Sequence, residues 1–160
     1  MKRRNWTAAV LVACGSVAPA AQQGVAAGTV VVTLTGTCSL LVVGGTDVTR
    51  QCNRTIINTA YPTGRSSFMF TYAGDMVVSF FGEDSAAIGD QATLQVEEIG
   101  VARGKADGTA NRVAHAVRGA CTYTNPYKGP SRIICNAAGK DGTYRAEFLS
   151  DGKPPEVLEL

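Results

Sequence analysis

The sequence predicts an all-β fold, a single small β-sandwich or β-barrel of roughly eight or nine short antiparallel strands stapled by two disulfides. Three observations predict it. Short apolar runs rich in β-branched and aromatic residues recur along the chain, each bounded by Gly, Pro, Asn or Asp. Nowhere after the first twenty residues does a long 3.6-residue apolar period appear. Four cysteines are left outside the leader-like segment, and they fall at equal intervals, Cys38 to Cys52 and Cys121 to Cys135.

The chain opens with the layout of a secretory signal. Lys2, Arg3 and Arg4 form a basic n-region, and the apolar run Ala8 to Ala13 is too short to cross a bilayer as a helix. Ala18-Pro19-Ala20 supplies a small-residue cleavage pattern. This divides the chain into a signal, residues 1–20, and one all-β domain, residues 21–160, with a periplasmic or secreted product and no transmembrane segment in the mature chain. Leu11-Val12-Ala13-Cys14 offers another maturation, because a bacterial lipobox would lipidate Cys14 and anchor the protein to the cell envelope. In this signal and in its composition the chain resembles small exported bacterial β-proteins, a resemblance that carries no site residue.

Removing the signal changes the charge. The chain has 15 Lys plus Arg and 13 Asp plus Glu; three of the cations precede Ala20 and every acid follows it, so the balance beyond the signal is 12 − 13 = −1. A nearly neutral chain without a basic run lacks the electrostatic footprint of a nucleic-acid binder.

An oxidising compartment and an even cysteine count favour disulfides, and the repeated interval favours local pairing. In CTYTNPYKGPSRIIC the turn-forming cluster Asn125 to Pro130 lies at the centre, so a hairpin about Lys128 sets Cys121 opposite Cys135. Gly44-Gly45 occupies the corresponding place between Cys38 and Cys52. Neither interval offers the close pairs of a zinc site or the C-x-x-C of a redox motif, so no metal and no cofactor is expected.

The strands follow in order: GTVVVTLTG, CSLLVV, RTIINTAY, SSFMFTYA, MVVSFFG, ATLQVEEIGVA, RVAHAVRGACTY, SRIICNA and GTYRAEFLS. SFMFTYAGDMVVSFF reads as a hairpin with a two-residue Gly74-Asp75 loop. That register sets Phe68, Phe70 and Tyr72 against Phe81, Ser79 and Val77, and makes both faces apolar. In ATLQVEEIGVA the inward set switches from Leu94 and Val96 to Ile99 and Val101, which predicts a bulge at Glu97-Glu98. GEDS, after MVVSFFG, has the composition of a turn. Residues 103–111, RGKADGTAN, form a polar, glycine-bearing loop and a candidate division between halves. Across it, TAYPTGRSSFMFTYAGD echoes TNPYKGPSRIICNAAGK weakly, and a real echo would mean two related hairpins presenting similar loops.

Catalytic groups are sparse, and no catalytic residue is assigned. His115, the only histidine, shares its face with Val113 and Val117 and reads as a half-buried structural residue. Adjacent strand carboxylates such as Glu83-Asp84 and Glu97-Glu98 point to opposite faces, which separates them for acid–base work. Asp84 and Asp90 in GEDSAAIGD lack the D-x-D-x-D-G spacing of a calcium loop. The candidate binding residues are Tyr61 and Arg65 in AYPTGRSS and Tyr127, Lys128 and Arg132 in NPYKGPSR. If both loops emerge at one end, they make an aromatic and basic patch of the kind enriched in binding hot spots. The expected function is a non-catalytic binding or inhibitory module with a protein or glycan ligand. The alternatives are an envelope-associated structural protein or lipoprotein, through Cys14, and a small hydrolase.

Overall fold

The computed structural model describes residues 26–104 and 110–160. The signal, Cys14, the Ala18-Pro19-Ala20 site and most of the 103–111 loop lie outside the described residues. Ten strands are present among the described residues: β1 Val30–Val43, β2 Thr46–Asp47, β3 Cys52–Ala60, β4 Arg65–Tyr72, β5 Met76–Ile88, β6 Gln91–Gly104, β7 Ala110–Thr124, β8 Arg132–Gly139, β9 Gly142–Ser150 and β10 Glu156–Glu159. β1 pairs with β3, each later strand pairs with the next as far as β9, and β9 pairs back with β1. Every pairing is antiparallel, so β1 and β3–β9 close into an eight-stranded barrel, with β2 and β10 as additions on β1. Of the two architectures compatible with the sequence, the chain therefore takes the barrel.

Closure depends on β1 having β3 along one side and β9, followed by β10, along the other, in a staggered register. Its first half pairs with β3 as far as Thr35 opposite Thr55, and its second half, Gly36 to Val42, pairs with β9. GTVVVTLTG and CSLLVV are thus one strand rather than two, with a register shift between Cys38 and Leu40. Gly36 permits the close approach of β9, since a Cβ there would lie 2.1 Å from the Leu149 carbonyl oxygen.

Inward positions alternate as a half-buried ladder requires. Phe68, Phe70 and Tyr72 of β4, Val78 and Phe80 of β5, Leu94, Val96 and Ile99 of β6, and Tyr144, Ala146 and Phe148 of β9 are all buried. Side chains fill the barrel, and burial of each large one contributes about 1.5–3 kcal/mol. The bulge lies where the pattern switches: Phe81 pairs with Glu98 but Gly82 pairs with Val96, which leaves Glu97 as the extra residue. Gly82 permits the close approach, for a Cβ there would lie 1.7 Å from the Gln95 carbonyl oxygen.

Two local expectations are corrected. The β4–β5 turn has three residues, Ala73-Gly74-Asp75, with Ala73 at φ 48° and Gly74 at φ 82°. The extra residue shifts the register by one, so Phe68, Phe70 and Tyr72 oppose Phe80, Val78 and Met76. Apolar side chains then share the inner face instead of being split between two. GEDS is not a turn either: β5 runs through it to Ile88 because Glu83, Asp84 and Ser85 pair with Gln95, Leu94 and Thr93 of β6.

Both local disulfides are formed. Cys121 and Cys135 are direct cross-strand partners, fully buried inside the barrel, with Cα atoms 3.9 Å apart. Cys38 and Cys52 lie 6.2 Å apart at Cα, beyond the last β1–β3 pair, and hold the two strands where they diverge around the 44–51 loop. The disulfides indicate an oxidising, non-cytoplasmic location. No helix among the described residues is long and apolar enough to cross a membrane.

Candidate functional site

Because the strands alternate in direction, the connections sort onto two ends. One end, here the Tyr127 end, collects loop 61–64, the β5–β6 tip at 89–90, loop 125–131, the excursion 151–155 and β10. The other, the Asp141 end, collects loop 44–51, turn 73–75 and the tight β8–β9 turn at 140–141. The two echoing loops are therefore at the same end, each joining consecutive strands.

They do not make the expected basic patch. Tyr61 packs edge-on against Phe81 with ring centroids 5.9 Å apart, and the Arg65 guanidinium lies 4.5 Å from the centre of the same ring. Arg65 also pairs with Glu97 at 2.8 Å and Glu83 at 3.7 Å, so this cluster belongs to the outer wall. Tyr127 sits apart at the barrel mouth. Its backbone N–H donates to Asn125 Oδ1 at 2.9 Å, a proline-containing turn that leaves the ring 64% exposed. Lys128 Nζ lies 2.5 Å from Asp90 Oδ1, and Arg132 lies 3.9 Å from Glu147. All three cations have acidic partners, so what remains available at this end is apolar surface and the carboxylates of β10 rather than positive charge.

That surface is extensive. Ile88 at the β5–β6 tip is 88% exposed, and Val157, Leu158 and Leu160 on and beside β10 are 46%, 57% and 47% exposed. Beneath Tyr127 opens a cavity of about 180 Å³ lined by Val32, Leu34, Asn58, Phe68, Tyr123, Pro126, Tyr127, Ser131 and Ile133. Its walls are ordered from behind. The Phe68 and Tyr123 rings meet edge to face at 5.0 Å, Tyr123 Oη donates to Asp84 Oδ1 at 2.9 Å, and Asn58 Nδ2 donates to the Ser67 carbonyl at 3.0 Å. Burial, and then the hydrogen bond to Asp84, push the Tyr123 phenol well above its ordinary pKa and keep it a neutral donor. Asp84 also donates its backbone N–H to the Gly64 carbonyl at 3.2 Å, which ties loop 61–64 to the mouth.

Glu83 and Asp84 behave as adjacent strand residues should, Glu83 turning outward to Arg65 and Asp84 inward to Tyr123. Asp84 and Asp90, the pair of the calcium reading, are engaged separately by Tyr123 and Lys128.

The Asp141 end has its own cluster. His115 Nδ1 lies 2.9 Å from Asp141 Oδ2, and the imidazole stands 6.0 Å from the Tyr144 ring. Burial, with Asp141 nearby, raises the Tyr144 pKa; burial raises that of Tyr72. Sequence reasoning placed His115 on the face of Val117 but missed its carboxylate, because Asp141 is 26 residues away and reaches it only through the β7–β8–β9 meander. It missed Asp84–Tyr123 for the same reason, and β10 because four residues, two of them acidic, carry too little pattern. The chain matches no protein-family model, no curated protein and no solved structure.

Proposed function

We propose that this is an exported protein of the periplasm or the extracellular space, matured near Ala20, and that it works as a non-catalytic binding or inhibitory module whose Tyr127 end engages a protein ligand. One observation carries the reading. Five large apolar side chains, Ile88, Tyr127, Val157, Leu158 and Leu160, are exposed at the same end of a barrel whose core is already filled. A filled barrel has no room for an enclosed small molecule, and a gathered apolar surface fits recognition of another macromolecule. Tyr127 has the character of an anchor, being a rigid, amphipathic ring held by its own turn.

The test places a photo-cross-linking residue at Tyr127 and, in a second variant, at Lys140 on the opposite end, in cells that export the protein. Adducts with another protein from position 127 and none from 140 are expected; equal labelling from both ends, or none from 127, overturns the reading. N-terminal sequencing of the same material reports a start near Ala21 if the maturation is right, whereas a lipid-modified Cys14 supports the envelope-anchored alternative.

A second reading, a small hydrolase, draws on the His115–Asp141 pair, in which a carboxylate orients an imidazole that could activate water. Ester or glycoside turnover abolished by His115→Gln would favour it over the binding module.

A further inference from the structure

We propose that the outer edge of β10 is a docking site for an extended segment of a partner protein in which apolar and basic side chains alternate. The proposal rests on the reading of the Tyr127 end as the binding end and names the partner's chemistry.

β10 has one ladder neighbour, β1, through Val30–Thr33 paired with Glu159–Glu156. β9 precedes β10 along the same side of β1, with Ser150 opposite Gly36 and Glu156 opposite Thr33, and between them the chain leaves the ladder through Asp151 to Pro155. Among the described residues no strand pairs with the second edge of β10.

The direction of its backbone groups follows from one hydrogen bond. Leu160 N–H donates to the Thr29 carbonyl at 2.9 Å, toward β1. Backbone groups alternate sides along a strand, so Leu158 and Glu156 also face β1, while Val157 and Glu159 present N–H and C=O to the open side. Such an edge is a template for strand addition.

Side-chain alternation supplies a specificity pocket. Val157 is paired with Val32, and Val32 lines the cavity that holds Phe68, Tyr123, Tyr127 and Ile133. Val157 therefore shares the inner face of the mouth, and every second side chain of a strand laid beside it projects over that cavity. A volume of about 180 Å³ suits one aliphatic or aromatic side chain.

Charge then selects the partner. Neither Glu156 nor Glu159 has a cationic partner among the described residues, whereas the nearby cations are engaged: Lys153 by Asp151, Lys128 by Asp90 and Arg132 by Glu147. The edge is left acidic, Glu156 on the outer face with Leu158 and Glu159 on the inner face with Val157, and Glu156 favours lysine or arginine between the partner's apolar positions. It also disfavours a second copy of this chain, because antiparallel pairing of two β10 strands would bring their glutamates together.

The test uses the peptide acetyl-Lys-Val-Lys-Phe-Lys-Val-amide as probe, with the isomer carrying Glu in place of Lys as control, and follows amide exchange by NMR. The lysine probe is expected to slow exchange at Val157 and Glu159 and to bind roughly tenfold or more tightly than the glutamate isomer. Val157→Pro, which removes an outward N–H only, is expected to weaken binding by about tenfold while the Leu158 amide stays protected by β1. No protection at Val157 and Glu159, equal binding of the isomer, or undiminished binding by a Val157→Pro protein that keeps Leu158 protected each overturns the proposal. Concentration-dependent protection without peptide also overturns it and identifies a second copy as the occupant. Adducts from Tyr127 that persist when the probe fails refute strand docking alone; probe binding without adducts from Tyr127 refutes the wider reading of that end.

Discussion

At the Tyr127 end several large apolar side chains are exposed and Lys128, Arg132 and Lys153 have acidic partners, whereas at the Asp141 end Val113 is the one exposed large hydrophobic among the described residues and the exposed groups include Asp47, Arg50, Asp75, Arg103 and Asp141. The same strands supply both. Each mouth is backed by tyrosine, half-buried Tyr123 at one end and buried Tyr72 and Tyr144 at the other. The ends differ in what the connections do. The Asp141 end carries the long 44–51 connection beside the tight turns 73–75 and 140–141, while the Tyr127 end carries loops 61–64 and 125–131, the β5–β6 tip and the strand β10 beyond the end of β9. A closed barrel hides its edges; of the two added strands that pair on one side, β2 is two polar residues at the Asp141 end, and β10 lies where the apolar side chains are exposed. The coincidence is what makes that end the candidate for recognition.

The strongest way to break the comparison is through the two disulfides, since both span a sequence separation of 14 and the loop-entropy term should be the same. Removing either pair by double Cys→Ala substitution is expected to cost about 2–4 kcal/mol. The loss should be larger for Cys121–Cys135, whose sulfurs are fully buried below the Tyr127 end, than for the partly exposed Cys38–Cys52 bridge, because alanines inside the barrel also leave a void. Urea unfolding of the two variants decides it, and equal losses would show that core packing around Cys121 is unimportant.

Alkaline titration compares the two mouths next. The Tyr123, Tyr72 and Tyr144 pKa values are all raised above the ordinary value of about 10, with burial the largest cause in each. A group whose pKa is raised on folding contributes stability that is complete below its unfolded pKa and is lost as pH rises toward the folded one. Stability should therefore hold up to about pH 10 and fall above it, with buried tyrosinate absorbance appearing only as the barrel opens. Tyr123→Phe should flatten the slope of stability against pH above that point; an unchanged slope would remove Tyr123 from the account.

The smallest effect is expected at Ser66, on the inner face of β4 near the Tyr127 end. Its hydroxyl is buried and has no hydrogen-bond partner. Ser66→Ala should be neutral or stabilise by up to about 1 kcal/mol in thermal or urea unfolding, since it removes an unsatisfied polar atom. A clear loss of stability would mean that the hydroxyl is satisfied in solution by water or a ligand at that mouth.

Alternation and glycine spacing made most of the strands legible, because both are local properties of a half-buried ladder. The switch at Glu97-Glu98 could be read as a bulge for the same reason, with Leu94 and Val96 on one register and Ile99 on the next. The β4–β5 register could not, since Gly74-Asp75 suits a two-residue turn and only the arrival of Phe68, Phe70 and Tyr72 inside a common wall makes the left-handed Ala73 worthwhile. Among the candidate binding residues, the sequence located two loops that share an end. Whether their cations were free depended on Glu97, Asp90 and Glu147, which come from other strands.

The amino-acid sequence by itself determined an all-β chain and the disulfide pairing, because residue periodicity and the hairpin about Lys128 act over a few residues and need no distant partner. Tertiary structure alone decided that the sheet closes, that His115 meets Asp141, and that β10 leaves one edge unpaired beside the Tyr127 cavity. Closure turns on β9 pairing with β1 along the side opposite β3, where Gly36 lets the Leu149 carbonyl approach, a contact between residues more than a hundred positions apart, and no local pattern in either segment encodes the other.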